Sequence, residues 1–361
     1  MPKKILMVQD WLHGLGIYMD YRKPKKLVQL ACDVENFNSA NVKRMVPEYM
    51  VMDKLDGVYA LVPCIRDACG NWHVKHFGRS GKELSGCDGL NELLRCELEY
   101  YYGKDGGFSM VLISEVCSDG PLAKLSGYLT PTRVAKKLAP EGMGDNFHEM
   151  LSLGEFCEGL GPRTAVQRHE ALYHIADELC FSEKVIPYMF LSYADAKKRF
   201  RCVTAQGGEG IIGRDPDAPW KAGQKNEVQW KMKERIDFEC EVIGVATGKK
   251  GSKYEDMVAK LIVAFRAFGR SNGELIVLPV GSGLTDDERR AFTEDPCKVL
   301  GRIAKIKAKS YTEFGNLREP VIEEWREDKD EGDFPFKYGG RTEKTIAGSH
   351  WTYTDIKEHD E

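Results

Sequence analysis

Near residue 234 the chain changes texture, and that change limits what it can fold into. Upstream, strand-like runs and helical patterns are mixed. Downstream, "DFECEVIGVATG", "MVAKLIVAFRAFG", "ELIVLPVGSG" and "GRIAKIKAKSYTEFG" are four strand candidates, and "GRSNGE" supplies a hairpin turn between two of them. One short helix, "TDDERRAFTED", opens on Thr285 with Glu288 three residues on, a capping box. Short strands with a single helix suit a small β-barrel, and an OB-fold is the expected form. The chain has 361 residues, which favours two domains, residues 1–233 and 234–361.

In the first of these, "MVMDKLDGVYALV" at 50–62 reads as a strand with Met50, Met52, Val58, Ala60 and Val62 alternating as one buried face. A lysine in that run, Lys54, is either a snorkelling surface residue or a nucleophile. "RDACGNWHVKHFGRSGKEL" gives a Gly-Asn turn, a strand through Val74 and a Gly-rich turn around Gly78 and Gly81. Leu90, Leu93, Leu94, Leu98 and Tyr101 suit a helix face, as do Leu172, Ile175, Ala176 and Leu179. Another helix follows Ser192 as N-cap, and "EGIIGRD" and "EVQWKMKER" read as strands. The expected class is α+β.

Composition narrows the function. At 42% hydrophobic the chain can fill packed cores. No apolar run approaches a membrane span, and "MPKKILMVQDW" lacks the apolar core of a signal peptide. Eleven scattered cysteines, with no C-x-x-C pair, fit a reducing cytoplasm and argue against a zinc module. A cytoplasmic protein is expected, in the host cell's cytoplasm if the source is viral. The net charge of −4 advertises no polyanion partner, but "YRKPKK", "TGKKGSK" and "RIAKIKAK" are local basic clusters. "EEWREDKDEGD" opens what reads as an acidic tail.

Six short motifs, in order, change the weight of these residues. They are Lys54-Leu55-Asp56-Gly57, Phe77-Gly78-Arg79-Ser80-Gly81, Glu115 in "LISEV", "GGEGIIGR" with Glu209, "WKMK" with Lys231 and Lys233, and Arg326, Asp328 and Lys329 in "GNLREPVIEEWREDK". Together they resemble the covalent nucleotidyltransferases, most closely the compact, phage-like ATP-dependent DNA ligases. Each residue alone has a commoner fate as a surface charge. Those separate fates do not account for the shared order.

The resemblance implies an adenylation (nucleotidyltransferase) domain of antiparallel sheets and flanking helices, followed by the OB-fold. It implies Lys54 as nucleophile toward the α-phosphorus of ATP, forming lysyl-AMP and releasing pyrophosphate. Free lysine is almost wholly protonated near neutrality, so the site must favour the amine. Lys231, Lys233 and a divalent metal, Mg²⁺ or Mn²⁺, are the expected cations, and they also neutralise charge on the phosphates. Glu209 is the expected metal ligand. Asp56, Gly57, Arg79, Glu115, Arg326 and Lys329 are expected at the nucleotide, Glu115 at a ribose hydroxyl and Gly57 where the backbone passes close to it. The aromatic against adenine falls in "DNFHEMLSLGEF", as Phe147 or Phe156. Arg79, Lys249, Lys250 and Lys253 are expected at DNA. The partner is nicked duplex DNA, and the protein is expected as a monomer using ATP rather than NAD.

Four positions depart from the family's pattern. Met52 stands where an acid is common, with Asp53 one place along. Tyr59 replaces an arginine, Ser114 a glycine, and Arg214 a lysine. RNA ligation, mRNA capping and non-catalytic nucleic-acid binding are the rival functions. Capping is the closest rival, since a capping enzyme also carries an OB domain. Intact Lys54, Glu209, Lys231 and Lys233 weigh against the non-catalytic one.

Overall fold

The computed structural model describes residues 5–23, 26–34, 46–103, 106–130, 138–266, 275–311, 316–329, 332, 337–346 and 348–357. The turn expected in "GRSNGE" and parts of "YRKPKK" and of the acidic stretch lie outside them. Contacts divide the chain into two compact units, Met1–Lys233 and Glu234–Glu361.

The first unit begins with α1 (Val8–Gly14), β1 (Leu30–Asp33), β2 (Tyr49–Lys54), β3 (Val58–Arg66), β4 (Trp72–Val74) and β5 (Phe77–Gly78). Then come α2 (Asp88–Tyr102), β6 (Met110–Cys117), α3 (Leu122–Leu129), β7 (Gly144–Ser152), α4 (Leu153–Glu158), β8 (Leu160–Gly161) and α5 (Ala165–Glu178). It ends with β9 (Met189–Leu191), α6 (Tyr193–Ala205), β10 (Gly210–Arg214), β11 (Trp220–Lys221) and β12 (Lys225–Lys233).

Two five-stranded sheets carry the unit. One runs β1-β12-β10-β2-β9, with β1 parallel to β12 and the other pairs antiparallel. The other runs β4-β3-β6-β7, with β5 also on β3. The strand expected over 50–62 is therefore two strands in two sheets. The backbone bends at Asp56 and Gly57, so Met50 and Met52 pack on Ala165 and Ile186, while Ala60 and Val62 enter a different core.

Side-chain alternation explains how the second sheet is covered. Ala60, Val62, Leu112 and Phe147 meet Leu94, Leu98, Leu125, Leu172 and Ile175 of the helices. Leu61, Ile65, Val111 and Leu151 meet Val8, Leu12, Phe156 and Trp220 on the opposite face. Each buried aliphatic side chain contributes about 1.5–3 kcal/mol. On α2 only Leu94 and Leu98 are buried, and Leu93 and Tyr101 remain exposed. Helix starts follow their caps: Thr164 with Gln167 for α5, and Ser192 accepting from the Asp195 N–H for α6.

The second unit has β13 (Ile236–Thr247), β14 (Val258–Arg266), β15 (Leu275–Val280), α7 (Asp286–Glu294), β16 (Ile303–Ala308), β17 (Ser310–Tyr311), β18 (Leu317–Arg318) and β19 (Val321–Trp325). β20 (Lys337–Ile346) and β21 (Ser349–Lys357) close the chain. Thr285 and Glu288 form the capping box of α7. The strands run β15-β14-β13-β16-β19, and β21 pairs with both β13 and β20. Among the described residues no ladder closes this sheet into a barrel; one isolated bridge, Ser282–Val321, links its two ends. Nor do residues 337–346 and 349–357 form an acidic tail: they pair as β20 and β21. Aromatics and threonines alternate over Trp351–Thr354 of β21, a pattern that suits a pleated surface, and Trp351 and Tyr353 cover Ile243, Ala246, Ile262 and Ala264.

Among the described residues no helix is long and apolar enough to cross a membrane.

Candidate active site

The site grows from three adjacent strands. β10 lies between β2 and β12, and Gly210 sits opposite Lys54 on one side and Lys233 on the other. A side chain at Gly210 would strike the Met232 carbonyl, and its φ of +145° is one that glycine alone adopts readily. This close approach gathers Lys54, Glu209 and Lys231 at one edge. Lys54 shares the face of Met50 and Met52, since strand residues alternate. Asp53 points the other way, to Arg199 of α6, with Nε donating to Oδ1 at 3.0 Å.

Lys54 Nζ lies 2.7 Å from Glu209 Oε2, and the Glu209 side chain is only 8% exposed. Lys231 lies opposite Asp33 in the parallel β1–β12 pair, Nζ to Oδ1 3.6 Å. Burial pushes the Lys231 ammonium below its ordinary pKa; Lys233, Lys54 and Lys225 push the same way, and Asp33 opposes them.

Glu115 reaches the same cleft from β6. Burial raises its pKa to about 7; Glu209 and Asp56 add to the rise, and Lys54 and Arg79 work against it. Gly57 makes this approach possible. A Cβ there would lie 2.6 Å from Glu115 Cγ and 2.8 Å from Cys117 Sγ. The space that Gly57 opens is thus filled by β6.

Lys54, Met52, Tyr59, Arg79, Glu115, His148, Ile186, Arg214 and Lys231 line one continuous cleft, joined by Gln29 of the segment entering β1. The Arg79 guanidinium lies over the Tyr59 ring, 5.2 Å from its centroid. Asp56 is exposed beside Glu115.

Neither expected aromatic lines this cleft. Phe147 is buried against Phe181, ring centroids 5.1 Å apart, on the helix-covered face of its sheet. Phe156 is fully buried in the opposite core. Strand alternation turns His148, the residue after Phe147, into the cleft instead, with its ring centroid 6.1 Å from that of Tyr59. A buried ionic cluster stands behind it. Arg168 Nε donates to Glu149 Oε1 at 2.7 Å, and Arg214 is 3.5 Å from the same carboxylate. Burial opposes ionisation of Glu149, yet Arg214 and Arg168 outweigh it and hold its pKa at about 2. Arg214, where the motif has lysine, is therefore built into the wall.

Asp33 and His148 are the residues that sequence reasoning missed. His148 was legible from alternation once Phe147 was placed in a core. Asp33 had no local signal, because its partner strand is the last of the unit.

In the second unit Arg326 and Lys329 both pair with Glu239 of β13, and Arg326 also with Asp328, Nη2 to Oδ2 2.8 Å. Lys249 and Lys250 are exposed. Lys253 is paired with Asp286 at 2.7 Å and lies over the Tyr254 ring. Among the described residues no three His, Cys, Asp or Glu side chains gather as a metal cage. Glu209 fits a site of the kind magnesium uses, in which one or two carboxylates serve and phosphate and water complete the shell.

No protein-family profile and no curated protein matches the chain. Solved structures do. Pmar-Lig_PreS3 superposes with a TM-score of 0.65 at 18% identity, over 88% of this chain and 71% of that one. Pmar-Lig_Pre gives 0.63 at 20% identity, over 83% and 67%. A structure from a study of Lig E DNA ligases, described as binding DNA with a minimal scaffold, gives 0.55 at 19% identity, over 83% of this chain and 98% of its own. Identity this low shows a common fold, and the fold that this chain shares is that of DNA ligases.

Proposed function

We propose that the protein is an ATP-dependent DNA ligase that seals nicks in duplex DNA through lysyl-AMP and a DNA-adenylate. The observation that carries this reading is one cleft lined by Lys54, Glu115, Arg79 and Lys231, with Glu209 paired to Lys54 beside it. Residues 1–233 are the adenylation domain, and residues 234–361 act as the OB domain.

Lys54 Nζ attacks the α-phosphorus and pyrophosphate leaves. An ammonium has no lone pair, so Lys54 must first pass a proton to Glu209, 2.7 Å away, or to water. Lys231 and Lys233 offset charge on the α-phosphate oxygens. Glu115, with a pKa of about 7, can donate to or accept from a ribose hydroxyl. Arg79, held on Tyr59, serves the nucleotide and then DNA phosphate. Arg326 and Lys329 act on the β- and γ-phosphates. Glu209 would hold a divalent cation, which supplies charge neutralisation to the phosphates. AMP then passes to the 5′-phosphate of the nick, and the 3′-hydroxyl displaces it.

The test offers labelled ATP or GTP with Mg²⁺, followed by a nicked DNA or RNA duplex. An adduct with ATP and a sealed DNA strand support the reading. An adduct formed with GTP alone would point to capping chemistry. Sealing restricted to RNA would point to RNA ligation.

A further inference from the structure

We propose that His148 reads the nucleobase by presenting its Nε2–H to a ring-nitrogen acceptor of a purine held in the Lys54 cleft. This rests on the nucleotide-binding reading above and adds a residue that bonds the purine ring.

The proton on His148 is placed by its neighbour. Arg214 Nη2 lies 3.0 Å from His148 Nδ1. A guanidinium offers only donors, so Nδ1 must accept, and the remaining proton sits on Nε2. Burial, and then the Arg214 charge, drive the imidazole's pKa down to about 3, so it stays neutral at any working pH. Arg214 is itself fixed by Glu149, and Glu149 by Arg168. The imidazole therefore has one tautomer and a rigid backing.

Its open side is the cleft. His148 keeps 9% of its surface exposed and lines the same pocket as Lys54 and Tyr59. Nδ1 and Nε2 lie on opposite sides of the ring, so a ring held through Nδ1 directs Nε2 away from Arg214. Among the described residues, the ring's own backbone carbonyl apart, Arg214 alone bonds the imidazole, at Nδ1, and no other residue takes the Nε2 proton. A donor left without an acceptor in a semi-buried wall favours a ligand that supplies one. Adenine supplies ring nitrogens.

The experiment compares ATP with 1-deaza-, 3-deaza- and 7-deaza-ATP, each lacking one ring nitrogen, by adduct formation and by equilibrium binding. In the unaltered protein one of the three should fall by about tenfold, the scale of one buried hydrogen bond. In His148→Phe, which keeps an aromatic ring, that analogue and ATP should become equal. His148→Asn, which keeps an N–H donor, should restore part of the difference. Equal use of all four nucleotides by the unaltered protein would overturn the proposal. So would an unchanged preference in a His148→Phe variant that melts as the unaltered protein does. If ATP binds but no adduct forms, the ligase reading fails and the binding series still decides the role of His148. If no purine nucleotide binds, both fail.

Discussion

Lys54 and Glu209 form an ion pair of 2.7 Å between the end of β2 and the residue that precedes β10. The pair joins the nucleophile expected from the first motif to the acid expected from the fourth. Lys54 keeps 20% of its side chain exposed, at the rim of the cleft rather than inside a core. Lys54→Ala should therefore abolish labelling by ATP while leaving the fold cooperative. Gel detection of the adduct, with a thermal melt alongside, checks both halves. A labelled variant would mean that another lysine is the nucleophile.

Glu115 makes the stability of the protein depend on pH. Its folded pKa of about 7 lies above the ordinary carboxylate value, so the native state binds the proton more tightly than the unfolded chain does. The stability from this group is fully present below about pH 4.5 and is lost as pH rises through 7. Glu115→Gln removes the cost of burying the charge. The variant should gain about 1–3 kcal/mol over the unaltered protein above pH 7, with little gain at pH 5. It should also react more slowly with ATP, having lost a ribose contact. Urea midpoints between pH 5 and 8 provide the measurement; parallel pH curves for the two proteins would refute the assignment.

How much of this could be read from the chain differs residue by residue. That Lys54, Glu209, Glu115 and Lys231 would come together was legible from the order of the short motifs along the sequence. The aromatic was not. Whether Phe147 or His148 faces the cleft depends on the pleat of β7 and on a register shift against β6 between Ile113 and Ser114, which no local pattern announces. Asp33 meets Lys231 only because β1 pairs in parallel with the last strand of the unit. The final hairpin was masked by the charges before it. "EEWREDKDEGD" reads as solvated, while the alternation in "SHWTYTDIK" needs β13 as a partner to become a strand.

The loop after β13 should contribute to DNA affinity through two lysines more than three. Lys249 and Lys250 are exposed, while Lys253 is engaged by Asp286 and by the Tyr254 hydroxyl, 3.0 Å away. Phosphate contacts release counterions, so Lys249→Ala with Lys250→Ala should flatten the log–log salt dependence of binding by up to about 2 units. Adding Lys253→Ala should change it little further. Fluorescence anisotropy with nicked duplex across a salt series reads the slope. A slope and affinity equal to those of the unaltered protein would mean that the loop is idle.

Glu239 supplies the last prediction, because it holds both cations of the C-terminal motif. Its side chain is 10% exposed on β13 and meets Arg326 and Lys329 together. If these two residues serve the β- and γ-phosphates, they matter only while pyrophosphate is the leaving group. Alanine at both should cripple reaction with ATP and largely spare sealing of a nick that already carries AMP. A structural effect can imitate part of that result. Taking two cations from a buried carboxylate costs about 3–5 kcal/mol where such pairs have been broken. The double variant should therefore be made in a Glu239→Gln background as well, which removes the carboxylate that the two cations pair with. Stability should return in that background, and the defect with ATP should persist. Recovery of the ATP reaction together with stability would show that the motif acts only as a brace for β13, and equal loss on both substrates would assign it to DNA.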